Sequence, residues 1–367
     1  MKKNSFMCFL CVLFLCALAV SCKSTPEPAD VTEPGPSAAV TPAPPQEQPV
    51  DQASLDRAIA RAEEARKRAL DFEAPSYFPS DWENAEAGYA AAGAGPRSTA
   101  AEASQTASLY NAAADVYDDL FKKTVPLYAQ DREDEVIALR DQVIATGLTA
   151  DYPDHFAMAD NKAIEAYNQY EAEDYYAARD SAAVALQMYQ SLAVAADAWF
   201  KRQEIVDNDL YHYDPENFDR ADETGLAAIG DYEAGNIPQA LDEAEEAALR
   251  YSLALKTAWE AHAGDQRQAA GRERQNALDA KANVAVKAKY EGASGIYNQA
   301  ESLYRSKNFK EAAGLYDQSR LLFGDAAWAA AEKRKIAEDA IRAAETKMAE
   351  SDETAKNAEL LLEGGAQ

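Results

Sequence analysis

Tyr232-Glu233-Ala234-Gly235-Asn236-Ile237-Pro238-Gln239-Ala240 reads as the end of one helix, a tight turn and the start of another. Gly235 adopts φ > 0 without a Cβ penalty, which suits the position just past a helix C-terminus. Asn236 can cap the next helix, and Pro238 fits its first turn, where a missing N–H loses no partner. Ala240, Ala244 and Ala247 then make a thin face that lets a neighbouring helix approach closely. Equivalent turns are Glu173-Asp174-Tyr175 and Ser306-Lys307-Asn308-Phe309. The predicted unit is a helical hairpin. The fold class is all-α, because no segment sustains the period-two alternation of a strand.

The hairpin recurs. With a shift of 62 residues, segments 152–190 and 214–252 share 13 of 39 residues without a gap. Chance alanine matches explain part of this, but Pro153/Pro215, Phe156/Phe218, Tyr170/Tyr232 and Tyr189/Tyr251 are harder to dismiss. A further shift of 72 pairs Phe218 with Tyr290, Tyr232 with Tyr304 and Tyr251 with Phe323. A degenerate first copy begins at Pro79-Ser80-Asp81-Trp82, where Ser80 and Glu83 read as a capping box. An opening helix over 51–72 precedes it. The predicted organisation is N-terminal helices with the degenerate hairpin over 51–150, then hairpins over 151–212, 213–285 and 286–350. Pro238 is the last proline, so long helices are expected beyond it, with Gly264, Gly271, Gly292 and Gly295 as candidate interruptions. Ala327 to Ala349 reads as a helix with Trp328, Ile336, Ile341 and Met348 apolar. Residues 351–367 read as a frayed tail, with Leu360-Leu361-Leu362 a frayed end or a weak docking stub.

The turn and second helix over Tyr232–Ala247 and Tyr304–Ser319 resemble the tetratricopeptide repeat. The likeness rests on a small or polar turn, an aliphatic or aromatic residue just after it, then alanine. It covers about a third of the body, and the period of 62 to 74 residues is about twice that of the family. The resemblance implies a TPR-like array of long hairpins, an α-solenoid or extended bundle, whose use is contact with proteins.

Residues 1–21 have the form of a signal peptide: Lys2 and Lys3, then an apolar run from Phe6 to Val20. Fifteen residues make about 22 Å of helix, short of the ~30 Å hydrocarbon core. The run ends in Leu18-Ala19-Val20-Ser21-Cys22, which resembles a bacterial lipobox with leucine one place early. Such loose boxes resemble those of spirochaetal, treponemal-like lipoproteins. The resemblance implies acylation of Cys22, export, and a lipid anchor with the body facing the periplasm or cell exterior. Residues 23–50 hold eight of the 15 prolines and are expected to be an extended, disordered tether.

Acidic residues outnumber basic ones 63 to 36, for a net charge of −27. Such a balance argues against nucleic-acid binding, which needs a basic face. The charge is uneven: net −17 over 151–260 and net +2 over 265–350. An acidic field of this kind would steer a basic partner. The cysteines are at 8, 11, 16 and 22, so the body offers no disulfide or thiolate site. His155, His212 and His262 are too scattered for a metal motif, and no phosphate loop or nucleophile elbow occurs. Asp207-Asn208-Asp209 lacks the glycine and glutamate of a calcium loop. No catalytic residue, metal or cofactor is assigned. The leading expectation is a non-catalytic, lipid-anchored envelope scaffold or adaptor binding cell-envelope proteins. The alternative is a module binding envelope polymer (peptidoglycan) or a small ligand. The turn aromatics Tyr175, Tyr176, Tyr211 and Tyr213 are the candidate partner-binding residues.

Overall fold

The computed structural model describes residues 52–364. The leader, Cys22 and the proline-rich segment lie outside the described residues. The element order is α1 (Gln52–Asp71), α2 (Ala74–Tyr77), α3 (Pro79–Gly93), α4 (Ala100–Ala145), α5 (Pro153–Glu171) and α6 (Tyr175–Asp207). It continues with α7 (Pro215–Ala234), α8 (Ile237–Asp279), α9 (Ala282–Ala285), α10 (Lys287–Arg305) and α11 (Phe309–Gly364). Among the described residues there is no strand.

The helices α1, α4, α6, α8 and α11 pack side by side in chain order, and the short helices α3, α5, α7 and α10 are the return strokes between them. The side-by-side helices run parallel. Arg61 reaches Asp115, Arg68 reaches Asp118 and Phe72 packs on Phe121, so α1 and α4 advance together. Further along, Glu204 on α6 accepts from Trp259 of α8 at 2.8 Å and from Lys310 of α11 at 2.9 Å. Each long helix serves two layers: its first half closes one hairpin, and its second half is the wall on which the next hairpin rests.

The backbone carries the repeat more faithfully than the side chains do. Among the described residues, positive φ occurs at Glu73, Gly147, Asp209 and Lys281, and at Glu173, Gly235 and Lys307. The first set is spaced by 74, 62 and 72 residues; the second is spaced by 62 and 72. Gly235 sits at φ 81° just past α7, with the Asn236 N–H bonded to Asp231 O at 2.9 Å. The same six-residue closure forms at Asp174 to Gln169 and Asn308 to Leu303, both 2.9 Å. Pro79, Pro153, Pro215 and Lys287 open the four return helices at the same spacings.

The core is built largely from alanine. Leu55, Ala58, Ala62, Ala65 and Ala69 line one buried face of α1, and Ala263, Ala270 and Ala277 do the same on α8. Small side chains bring the helix backbones close, and packed aromatics such as Tyr117, Tyr189, Tyr316 and Phe323 fill the space between layers.

Four expectations change. Asn236 stands at the N-cap of α8 but makes no side-chain cap bond, its Nδ2 donating instead to Asp231 Oδ1 at 2.9 Å. Ser80 lies inside α3, whose N-cap is Phe78 with no side-chain cap; the capping box is Thr99 with Glu102 at the start of α4. The glycines 264 and 271 are absorbed within α8, and 292 and 295 within α10. The break falls instead at Lys281, because tertiary packing sets the position and a single glycine costs only about 1 kcal/mol in a helix. The segment expected to fray continues α11 as helix to Gly364, supported by alanine, glutamate and lysine of high helix propensity.

Candidate functional site

Every layer is tied by an arginine, a carboxylate and a tyrosine. Arg140 on α4 forks onto Asp160 of α5, with Nε to Oδ1 at 2.8 Å and Nη2 to Oδ2 at 3.1 Å, and Tyr189 of α6 donates its hydroxyl to Oδ1. Sixty-two residues on, Arg202, Asp222 and Tyr251 repeat this on α6, α7 and α8, at 2.9 and 3.1 Å for the fork. Arg66, Glu86 and Tyr117 make the N-terminal version, and Arg267, Glu301 and Tyr316 the C-terminal one. Each arginine also lies over a ring of the return helix or its edge: Trp82, Phe156, Phe218 and Tyr304, at 5.1–5.6 Å. One carboxylate thus fixes three helices at once, with planar fork geometry that lysine could not supply.

The ties have a clear electrostatic character. Burial alone would raise the Asp160 and Asp222 carboxyls, but the arginine fork and tyrosine hydroxyl outweigh it and hold both below the ordinary range. The Arg66 fork acts first on Glu86 in the same direction. Burial, followed by the bonded carboxylate, pushes the Tyr189 and Tyr251 phenols up. In each central layer the carboxylate, the arginine Nε and Nη2 and the tyrosine hydroxyl are engaged with one another, and all three residues line the groove beside them.

Beside the two central ties lie two open grooves, of about 500 and 440 Å³. The first lies between the second half of α4 and α5, the second between the second half of α6 and α7. Fifteen of the 22 residues lining the first recur in the second exactly 62 positions later, among them Ala163/Gly225, Ile164/Leu226, Tyr167/Ile229, Ile137/Trp199 and Ala182/Ala244. Leu226 is 71% exposed and Tyr167 60%, so apolar surface faces outward at each mouth.

The terminal hairpins fill the equivalent space. By the spacings of the backbone turns, Ala163 and Gly225 correspond to Tyr89 and Tyr297. Ala182 and Ala244, each seven residues before the tie tyrosine of its layer, correspond to Tyr110, and by the shift of 72 Ala244 corresponds to Tyr316, which in the last layer is also the tie tyrosine. Tyr89 packs edge-on against Tyr110 at 5.5 Å, and Tyr297 against Tyr316 at 5.4 Å. In the last hairpin the whole tie has moved. Arg274 and Ser294 stand where Arg202 and Asp222 stand one layer earlier, and the pair forms instead between Arg267 and Glu301, seven residues along each antiparallel helix. The buried Ser294 hydroxyl is left without a protein partner. Two tyrosines close each terminal groove; two small residues leave each central groove open.

The four turn aromatics do not form one ridge. Tyr176 donates to Asp71 at 2.9 Å and packs on Phe72, and burial with this carboxylate raises its phenol to about 12. Tyr175 packs on Phe121 and Tyr170 and lines the first groove. At the next turn, Tyr213 donates to Asp265 at 2.8 Å, while Tyr211 is 52% exposed against Phe218. His155 meets Glu233 at 3.0 Å on the border of the second groove. Among the described residues, no group of three or more His, Cys, Asp or Glu stands where it could hold a metal ion. Sequence reasoning missed the grooves: the signal is a missing aromatic at Ala163 and Gly225, visible only once the register to Tyr89 and Tyr297 is fixed.

The chain is similar to Treponemal membrane protein A of Treponema phagedenis, with 24% identity over 208 residues, covering 57% of this chain and 60% of that protein. No family model matches the chain, and no solved structure does. Among the described residues, no helix is long and apolar enough to cross a membrane.

Proposed function

We propose that this protein is a non-catalytic scaffold or adaptor of a bacterial cell envelope, held to a membrane by lipid on Cys22, and that the two central grooves grip protein partners. The observation that carries the reading is the contrast between layers: the same hairpin is sealed by two tyrosines at both ends of the array and left open in the middle. An open apolar cleft between helices takes apolar side chains of a partner and gains about 25 cal/mol per Å² removed from water. The net charge of −17 over 151–260, which contributes residues to both grooves, favours a partner with basic residues flanking those anchors. The TPR-like character belongs to this proposal, as does placement in the periplasm or at the cell surface. The similarity to a treponemal membrane protein supports the envelope setting.

A photo-cross-linking residue at Leu226 or Ile164, irradiated in cells that carry the protein, is expected to give discrete protein adducts. Those adducts should vanish when Ala163→Tyr and Gly225→Tyr copy the terminal hairpins. Adducts that survive closure of the grooves, or none at all, would refute the grooves as the contact. Sedimentation of the protein with purified sacculi, lost on closure, would favour an envelope polymer instead.

A further inference from the structure

The last helix carries a face that the fold does not use. From Ala330, the last buried residue of α11, the helix runs on past the array, and every residue from Glu332 to Leu362 is exposed. Ile336, Leu360 and Leu361 lie apart, but the other large apolar residues, joined by alanines and Ser351, form one row. Ala337, Ile341, Ala344, Met348, Ser351, Ala355, Ala358 and Leu362 follow one another at alternating steps of four and three. That is a 3.5-residue period sustained over nearly four heptads, the spacing of a coiled-coil seam. Ile341, Met348 and Leu362 are the large members, with Ala344 between the first two and Ser351, Ala355 and Ala358 between the last two, and Met348 is 68% exposed.

The same chain shows what such a seam is for. Leu55, Ala58, Ala62, Ala65 and Ala69 of α1 step by three and four in the same way, and all five are buried against the parallel helix α4. One seam is covered and the other bare. Flanking charge selects the cover. Glu338, Glu345, Asp352 and Glu359 form an acidic row along one edge of the bare seam, and Lys347 stands on the other edge. Two copies laid antiparallel would set acidic row against acidic row. Two copies laid parallel set Lys347 of each beside Asp352 of the other, five residues on, and keep the acidic rows apart. Over 331–362 the chain has eight acids and six bases, so this helix lacks the strong negative charge that separates the central hairpins of two molecules.

We propose that the distal half of α11 is a self-association surface, pairing in parallel and in register with the same segment of a second copy. The pair extends the side-by-side order of the array, with another molecule's helix in the place of a sixth. It concerns a different face from the grooves, so it holds or fails independently of what they bind.

The test uses the full chain. Sedimentation velocity should show a concentration-dependent dimer whose population rises with ionic strength, because salt screens the overall negative charge while the seam is apolar. Met348→Cys and Ile341→Cys should each cross-link under mild oxidation, with the peptide carrying the substituted position joined to its own copy. Glu353→Cys, on the outer face, should not. Met348→Asp buries a charge in the seam and should weaken the dimer by about tenfold to a hundredfold, with the helical content and unfolding midpoint unchanged. A chain that stays monomeric at every concentration overturns the proposal. So does cross-linking of Ile341→Cys to an Ala358→Cys partner, the antiparallel signature, or equal yield from Glu353→Cys.

Discussion

The terminal and central hairpins share a backbone and differ in what occupies one space. At both ends, Tyr89 with Tyr110 and Tyr297 with Tyr316 fill the gap between the return helix and the flanking long helices. In the middle, Ala163 with Ala182 and Gly225 with Ala244 leave it empty, and the Arg–Asp–Tyr tie alone spans it. The ends therefore gain stability from aromatic packing, and the middle gives some of that up for surface that can be covered by something else. A fold tied once in every layer can do both, because the tie fixes the helices whether or not the groove beside it is filled.

That comparison can be broken in several ways. The largest effect is expected from Tyr316→Ala, which empties a fully buried site and removes the Glu301 hydroxyl partner: a loss of about 3–5 kcal/mol, read from urea unfolding. A loss under about 1 kcal/mol would show that the terminal tyrosines do not stabilise their hairpin. Next, Asp222→Ala strands the Tyr251 hydroxyl and the Arg202 fork. It should cost about 1–3 kcal/mol, toward the lower end because about a third of each charged side chain meets solvent. An unaltered midpoint would demote the tie to decoration.

Acid should weaken all four layers together. Asp160, Asp222, Glu86 and Glu301 have carboxyl groups held below the ordinary range in the folded protein. Their contribution is complete above the unfolded carboxyl range of about 4 and is lost as pH falls through the folded values. The unfolding free energy of Asp222→Asn should therefore fall less steeply with acid than that of the parent; identical pH dependence would contradict the assignment. The smallest effect is at the groove itself. A Cβ at Gly225 meets only the Ala247 Cβ, at an ordinary 3.8 Å, so Gly225→Ala should stabilise by about 0.5–1 kcal/mol through helix propensity. Destabilisation there would mean that the groove is tighter than its geometry implies.

The hairpin was legible in the sequence because its causes are local. A residue with φ > 0, a proline in the first turn and alanine every three or four residues act within one or two helical turns, and the turn at Gly235 lies where its residues place it. The 62-residue recurrence of Phe156, Asp160 and Tyr189 was also readable as matched letters. What those letters do was not, because Arg140 and Arg202 lie on the preceding helix, outside the compared segments. The long helices ran through Gly264 and Gly271 because packing against neighbours outweighs one weak helix former.

Sequence by itself determined that this chain makes helices, where the turn at Gly235 falls, and that one hairpin is written several times. Only the tertiary structure decided which helix faces meet, that a single carboxylate joins three helices in each layer, and that the central layers stay open while one long helix ends bare. The reason is range: turns and periodicity depend on neighbours in the chain, whereas a groove depends on the volume of side chains contributed by separate helices.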